Sequence, residues 1–202
     1  MSIIIGLTGQ TGSGKGTAAR LFSECGMKSI DCDKVSREVV EKGSETLKRL
    51  AEKFSDKILN PDGTLNRSAL AERAFSSPQS VRLLNSITHP AIIERLKELI
   101  GKMKEDGDEL IVLDAPTLIE SGAADLCDVV IAVVADEDIR LERIMERDGI
   151  DVTAAKRRMS AQPKSEFYTD NADYTIYNNG DFDLLKEQVD SAFEDIMRNF
   201  TE

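Results

Sequence analysis

The stretch Gly9-Gln10-Thr11-Gly12-Ser13-Gly14-Lys15-Gly16-Thr17 follows a β-branched run, Ile3-Ile4-Ile5, and precedes an amphipathic segment at residues 17–25. Glycines at 9, 12 and 14 let the backbone curl with its N–H groups turned inward, and the start of the following helix adds partial positive charge at the same spot. Strand, glycine-rich turn and helix in that order form a phosphate cradle and open an α/β fold.

Lys15 adds a mobile charge for β- and γ-phosphates, so the stretch reads as the Gly-x-x-x-x-Gly-Lys loop of nucleoside-triphosphate enzymes. Gly9, Gly12, Ser13, Gly14, Lys15, Gly16 and Thr17 are therefore the first candidate ATP-binding residues. Gly16 stands where such loops usually carry the Ser or Thr whose hydroxyl meets Mg²⁺. Thr17, turned about 100° further round the helix, is expected to meet a phosphate oxygen instead, leaving the ion to water and a carboxylate elsewhere.

The chain has 202 residues, enough for one domain with an insertion, and its 31% charged and 41% hydrophobic composition is that of an ordinary globular protein. A net charge of −11 argues against a nucleic-acid surface, so any anionic substrate has to be met by local cationic clusters. No apolar run approaches the roughly 18 residues needed to span a bilayer, and the opening residues have no signal-peptide layout. A cytoplasmic protein without a membrane partner, monomeric, is the expectation. Cys25, Cys32 and Cys127 lack metal-ligand spacing and read as reduced thiols packed in the core.

Residues 27–33 form a short second strand running out into Asp31 and Asp33, which share one side if the backbone stays extended. Ligands of open parallel sheets gather at such strand ends, which makes both aspartates candidates for chemistry; Asp33 reads equally as the N-cap of a helix at 34–41. Ser44 caps a helix to Phe54, a turn follows at Asn60-Pro61-Asp62-Gly63, and further helices run towards residue 105. That span is too long for a simple crossover and reads as an inserted helical module. Within it, His89-Pro90 is expected to interrupt the long helical pattern of residues 81–100; His89 is the only histidine in the chain.

Residues 109–116 read as a buried parallel strand beside the first one, ending in Asp114, which stands where nucleotide enzymes keep a carboxylate for Mg²⁺, held directly or through water. Glu120 follows, as a metal or substrate contact or as a surface ion pair. Residues 128–134 form another buried strand. The next helix, 136–147, carries Arg140, Arg143 and Arg147 within about 60° of one another, either as a phosphate clamp or as a solvated face paired to Glu137, Glu142 and Glu146. A second basic helix and Gln162-Pro163-Lys164 complete a lid that would exclude water. Residues 174–177 are the last strand, Asn178-Asn179-Gly180 is a turn able to lie against a base, and the final helix is expected to bury Leu185, Val189, Ala192, Phe193, Ile196 and Phe200.

Taken in order, Gly-Ser-Gly-Lys, Ile30-Asp31-Cys32-Asp33 with Arg37, Asp62-Gly63-Thr64-Leu65-Asn66-Arg67, His89-Pro90, Asp114-Ala115-Pro116, Glu120-Ser121-Gly122, Arg143, Arg147-Asp148-Gly149, Ala161-Gln162, Ala172-Asp173 and Asn179-Gly180 resemble the dephospho-coenzyme A kinases. The resemblance implies a three-layer P-loop kinase fold with a five-stranded parallel sheet, its core at 1–43, 106–138 and 172–202, a helical acceptor-binding insertion at about 44–105 and a lid at about 139–171. It implies transfer of the ATP γ-phosphoryl group, with Mg²⁺, to the ribose 3′-hydroxyl of dephospho-coenzyme A. Asp33 would be the base, with Lys15 and Arg143 also catalytic. Arg147 and Asn179 would join the ATP site, Asp31, Arg37, His89, Asp114 and Glu120 the acceptor side, and Asp114 would hold the ion. A nucleoside monophosphate kinase is the alternative enzyme. A nucleotide-dependent switch is the alternative outside catalysis, although no Asn-Lys-x-Asp guanine reader is present.

Overall fold

A computed structural model describes residues 2–201. The opening β-branched run forms β1 (Ile3–Gly9), every residue of which is buried, as expected of a parallel strand covered on both faces. It pairs in parallel with β3 (Leu110–Asp114) on one side and β4 (Val129–Val134) on the other. β4 pairs in parallel with β5 (Tyr174–Tyr177), and β2 (Lys28–Asp31) lies beyond β3, so the order is β2-β3-β1-β4-β5. The sheet therefore leaves β1 in both directions, and the loop after β1 opens at the switch point where open α/β sheets bind ligands.

The register sets the loop beside its acidic neighbour, because Leu7 is level with Asp114 and the chain then leaves the sheet at Gly9. At the opposite strand ends two carboxylates tie β1 to the start of β4 and β4 to the start of β5. Asp128 accepts from the Ile4 N–H at 2.8 Å, and Asp173 accepts from the Val130 N–H at 2.8 Å. Asp173, one of the motif residues, thus has a visible structural duty.

The main core joins β1 and β4 to α1 (Lys15–Glu24) and α9 (Phe182–Thr201) through Ile5, Leu7, Leu21, Phe22, Ile131, Val189 and Ile196. Each such side chain, fully buried, stabilises the fold by about 1.5–3 kcal/mol relative to exposure. Phe200 departs from expectation: it is 44% exposed, because the last turn of α9 runs past the core cluster, which ends at Ile196 and Met197. Between the strands lie α6 (Glu137–Asp148), α7 (Val152–Ser160) and α8 (Ser165–Thr169). Ile144, Ala155 and Met159 pack α6 on α7, while Tyr168 of α8 is fully buried against Ala132 and Val134.

By internal contacts the chain forms two units, residues 2–30 with 103–201, and residues 31–102. The second is helical, with α2 (Cys32–Glu38), α3 (Glu45–Phe54), α4 (Arg67–Ala74) and α5 (Pro78–Glu105), whose residues up to 102 belong to it. Leu50, Phe54, Ile58, Leu70 and Ile87 form its core. Ser44 caps α3 by accepting from Leu47 N–H at 3.1 Å, and Asn66 caps α4 from Ala69 N–H at 3.0 Å. Asp62 accepts from both the N–H and the hydroxyl of Thr64, which builds the turn that motif residues 62–67 occupy.

The expected interruption at His89-Pro90 does not occur, since α5 runs unbroken through Pro90. The proline removes one intrahelical donor, but burial of Ile87 before it and of Leu96 and Ile100 after it holds both halves in one helix. No helix among the described residues is long and apolar enough to cross a membrane. Among the described residues Cys25, Cys32 and Cys127 form no disulfide; Cys32 is buried, whereas Cys25 and Cys127 are only partly so.

Candidate active site

The loop needs its glycines for reasons the structure makes specific. Gly14 has φ +93°, and a Cβ there would lie 2.0 Å from the Asn178 amide nitrogen. Gly9 has φ +153°, and its Cβ would lie 2.3 Å from the Val133 carbonyl oxygen. Gly16 is different: a Cβ would meet nothing within 4 Å, so packing does not demand the glycine that replaces the usual hydroxyl residue. Thr17 N–H closes back on the Gly14 carbonyl at 2.9 Å and starts the helix. The Ser13 hydroxyl is buried without a partner among the described residues.

Lys15 reaches across to Asp114, and the ammonium and carboxylate are in direct contact, both partly buried. Two sequence candidates are thereby brought together at the ends of neighbouring strands. The Asn178 amide, with the residue only 6% exposed, donates to the Ser13 carbonyl at 2.8 Å, while Arg143 donates from Nη1 to the Asn178 carbonyl at 3.0 Å. Asn178 thus ties the loop to Arg143. Asn179 turns the other way and accepts from the Asp136 N–H at 2.8 Å, ahead of α6.

The arginines of α6 do not form the uniform stripe expected. Arg140 is 5% exposed and donates from Nε to the Thr11 carbonyl at 3.0 Å, so it is a buried strut of the loop and not part of a solvated face. Its Nη2 has no partner among the described residues, and burial pushes the guanidinium below its ordinary pKa. Arg147 forms a fork on Asp148, with N–O distances of 2.8 and 2.9 Å, rather than pairing with Glu137, Glu142 or Glu146. Arg158 of α7 meets the same carboxylate. Hydrogen bonding to Arg147 holds the Asp148 carboxyl below the usual range.

Glu120 is exposed and accepts from the Tyr168 hydroxyl at 3.5 Å, the long limit of a hydrogen bond. Desolvation raises its pKa, and burial beside Glu120 pushes the Tyr168 hydroxyl up to about 12.

In the second unit the cap falls on the other aspartate. Asp31 accepts from Lys34 N–H at 3.0 Å as the N-cap of α2, and Asp33 lies one residue inside the helix. The two carboxylates therefore do not share one side of an extended strand, because the backbone turns helical between them. Asp33 and Arg37 are exposed, and His89 is half-buried, with its imidazole held below its ordinary pKa by burial. Among the described residues none of these three side chains has a hydrogen-bond or ion-pair partner.

Arg140 and Asn178 are legible in the sequence as part of an arginine clamp and of a turn, but their bonds to Thr11 and Ser13 are not. Asn178 directly precedes Asn179 after β5, and Arg140 stands one turn before Arg143 in α6.

A family profile described as dephospho-CoA kinase matches residues 3–183. The chain belongs to the dephospho-CoA kinase family. The dephospho-CoA kinase of Corynebacterium jeikeium is 44% identical over 188 residues, 93% of this chain and 96% of that one. That of Syntrophotalea carbinolica is 40% identical over 187 residues, 93% of this chain and 89% of the relative. Among solved structures, a Thermus thermophilus protein superposes with a TM-score of 0.79 at 29% identity, covering 100% of this chain and 99% of that one. The dephospho-CoA kinase from Campylobacter jejuni gives 0.72 at 26% identity, covering 98% and 99%. A shikimate kinase from Acinetobacter baumannii, at 15% identity and a TM-score of 0.56, shares the fold. The chain is thus an ATP-dependent kinase by family, on an all-parallel P-loop sheet.

Proposed function

We propose that this chain transfers the γ-phosphoryl group of ATP to the ribose 3′-hydroxyl of dephospho-coenzyme A, giving coenzyme A and ADP, the last step of coenzyme A synthesis. The observation that carries the reading is the Lys15–Asp114 contact at the head of a phosphate loop, in a chain that matches the family over residues 3–183. Phosphoryl transfer asks the protein for in-line positioning and for neutralisation of spreading charge, and for little covalent help.

The residues divide accordingly. The loop from Gly9 to Thr17 binds the phosphates through N–H groups and Lys15, with Arg147 and Asn179 on the nucleotide. Arg143 has five N–H donors and spends one on Asn178, which leaves the rest of the guanidinium for the transferring group. Asp33 orients the acceptor hydroxyl and takes its proton as the oxygen attacks phosphorus. Asp31, Arg37, His89 and Glu120 serve the acceptor, with the helical insertion at about 44–105 as its binding module and residues 139–171 as the lid.

The donor set also fits Mg²⁺. Asp114 is one hard oxygen donor beside the loop, and this ion characteristically takes one or two carboxylates with phosphates and water. When bound, it would neutralise the β- and γ-oxygens, held by Asp114 directly or through water.

The test is an acceptor panel: ATP and Mg²⁺ with dephospho-coenzyme A, AMP, CMP, UMP or adenosine, following ADP release and locating the new phosphate by NMR. Turnover with dephospho-coenzyme A alone, phosphorylated at the 3′-oxygen, is expected. Turnover with a nucleoside monophosphate instead contradicts the proposal.

A further inference from the structure

The phosphate loop divides in two by what its backbone bonds to. The N–H groups of Gly12, Gly14, Lys15 and Gly16 have no hydrogen-bond partner among the described residues, as a phosphate cradle requires. The front of the loop is already committed. The Thr11 N–H donates to the Gln162 side-chain oxygen at 2.8 Å, and the Thr11 carbonyl accepts from Arg140 at 3.0 Å. Gln10, 4% exposed, donates to the Pro163 carbonyl at 2.8 Å and accepts from the Ser165 hydroxyl at 2.9 Å.

Three bonds therefore join Gln10 and Thr11 to the junction between α7 and α8. That junction is stiff on its own account. Gln162 N–H closes α7 on the Met159 carbonyl at 3.1 Å, Pro163 has a fixed φ, and α8 starts at Ser165. Met159 and Ala155 pack α7 on Ile144 of α6, so the basic residues Lys156, Arg157 and Arg158 ride on a body anchored to the loop.

We propose that Gln162 is a positioning residue for phosphoryl transfer: its amide oxygen on Thr11, seconded by Gln10, registers the basic α7–α8 segment on the front of the loop while the back of the loop holds the phosphates. The inference rests on the loop and lid reading above. It assigns the two halves of one motif to different tasks, and it makes the lid's grip on the loop the device that favours the acceptor hydroxyl over water at the γ-phosphorus. With the grip loosened, water serves as nucleophile and gives ADP and inorganic phosphate.

The test uses the full chain with Gln162→Met, which keeps the side-chain length and deletes the acceptor, and Ser165→Ala, which deletes only the donor to Gln10. Amide exchange at Thr11, thermal melting, and ADP and coenzyme A formed from ATP and dephospho-coenzyme A are measured together. In Gln162→Met, Thr11 exchange should quicken by about tenfold and coenzyme A turnover should fall by about 10- to 100-fold, the range expected of small misplacement. KM for ATP should stay within about threefold, and ADP formed per coenzyme A should climb from one to above about two. Ser165→Ala should move the same readouts less. Unchanged Thr11 exchange overturns the proposal. So does faster exchange with turnover and the ADP ratio unaltered, or a lower melting temperature with the ratio still at one, which would leave Gln162 a purely structural residue. A wild type that makes no coenzyme A refutes the functional reading separately; faster Thr11 exchange with raised acceptor-free ATP hydrolysis in Gln162→Met then still supports the positioning role of Gln162, and unraised hydrolysis overturns it.

Discussion

The loop side of the molecule and the start of the helical unit treat their polar side chains in opposite ways. Around the loop, Lys15 is paired with Asp114, Arg143 is bonded to Asn178, Asn178 to Ser13, and Arg140 to Thr11. At the start of the second unit, Asp33 and Arg37 face solvent and have no side-chain partner among the described residues. Groups bonded in advance cost no reorganisation when charge develops, which suits the donor phosphates. Uncommitted groups are ordered by the ligand that binds them, which suits an acceptor that has to enter and leave. Variants on the loop side should therefore cost stability as well as activity, whereas variants of the exposed Asp33 and Arg37, proposed to serve the acceptor, should cost activity alone.

The largest departure is expected from Arg143→Ala, with turnover lower by about 10³–10⁵-fold, as for a charge-stabilising arginine in phosphoryl transfer, and the melting temperature also reduced by loss of the bond to Asn178. Steady-state kinetics with a thermal melt read both, and unchanged turnover removes Arg143 from the transition state. Gly14→Ala drives a methyl group into the Asn178 amide and forces a strained φ. With about 1–3 kcal/mol lost for the buried bond, melting should fall by roughly 2–10 °C and ATP affinity by about tenfold or more; a wild-type melt would break the comparison.

Arg37→Ala should raise KM for dephospho-coenzyme A by about tenfold, the worth of one charge-assisted bond, with KM for ATP and the melting temperature unchanged. A melt that moves with it would show Arg37 to be structural. The smallest effect concerns pH. Burial holds His89 below its ordinary value of 6.5, so the unfolded chain binds more protons and the stability tied to neutral His89 is complete above about 6.5 and lost as pH falls through it towards the folded pKa. Between pH 7 and 5.5 the wild type should lose slightly more thermal stability than His89→Gln; equal losses would contradict the shift.

How much of this was legible beforehand depended on distance along the chain. β1, the loop and α1 are carried by short-range pattern, and β3 and β4 by continuous apolar runs, so the parallel sheet could be read from residues 3–9, 110–114 and 129–134. The helix caps were harder. Asp31 and Asp33 are two residues apart, both are good caps, and only the turn of the backbone at Cys32 assigns the role to Asp31. Pro90 was misleading because local propensity predicts a break while burial on both sides overrides it. Arg140 was misleading for the reverse reason, since helical spacing put it beside Arg143 and could not reveal a Thr11 carbonyl 129 positions away. Separation along the chain likewise hid the bond from Asn178 to Ser13, which spans 165 positions.

That Asp33 is decisive for function yet structurally free is tested by single-turnover phosphoryl transfer by Asp33→Asn at saturating ATP and dephospho-coenzyme A, with the melting temperature measured alongside. The expected rate is lower by about 10²–10⁴-fold, as for loss of a general base, with nucleotide affinity and melting unchanged. A wild-type rate, or a loss that follows unfolding, would contradict it.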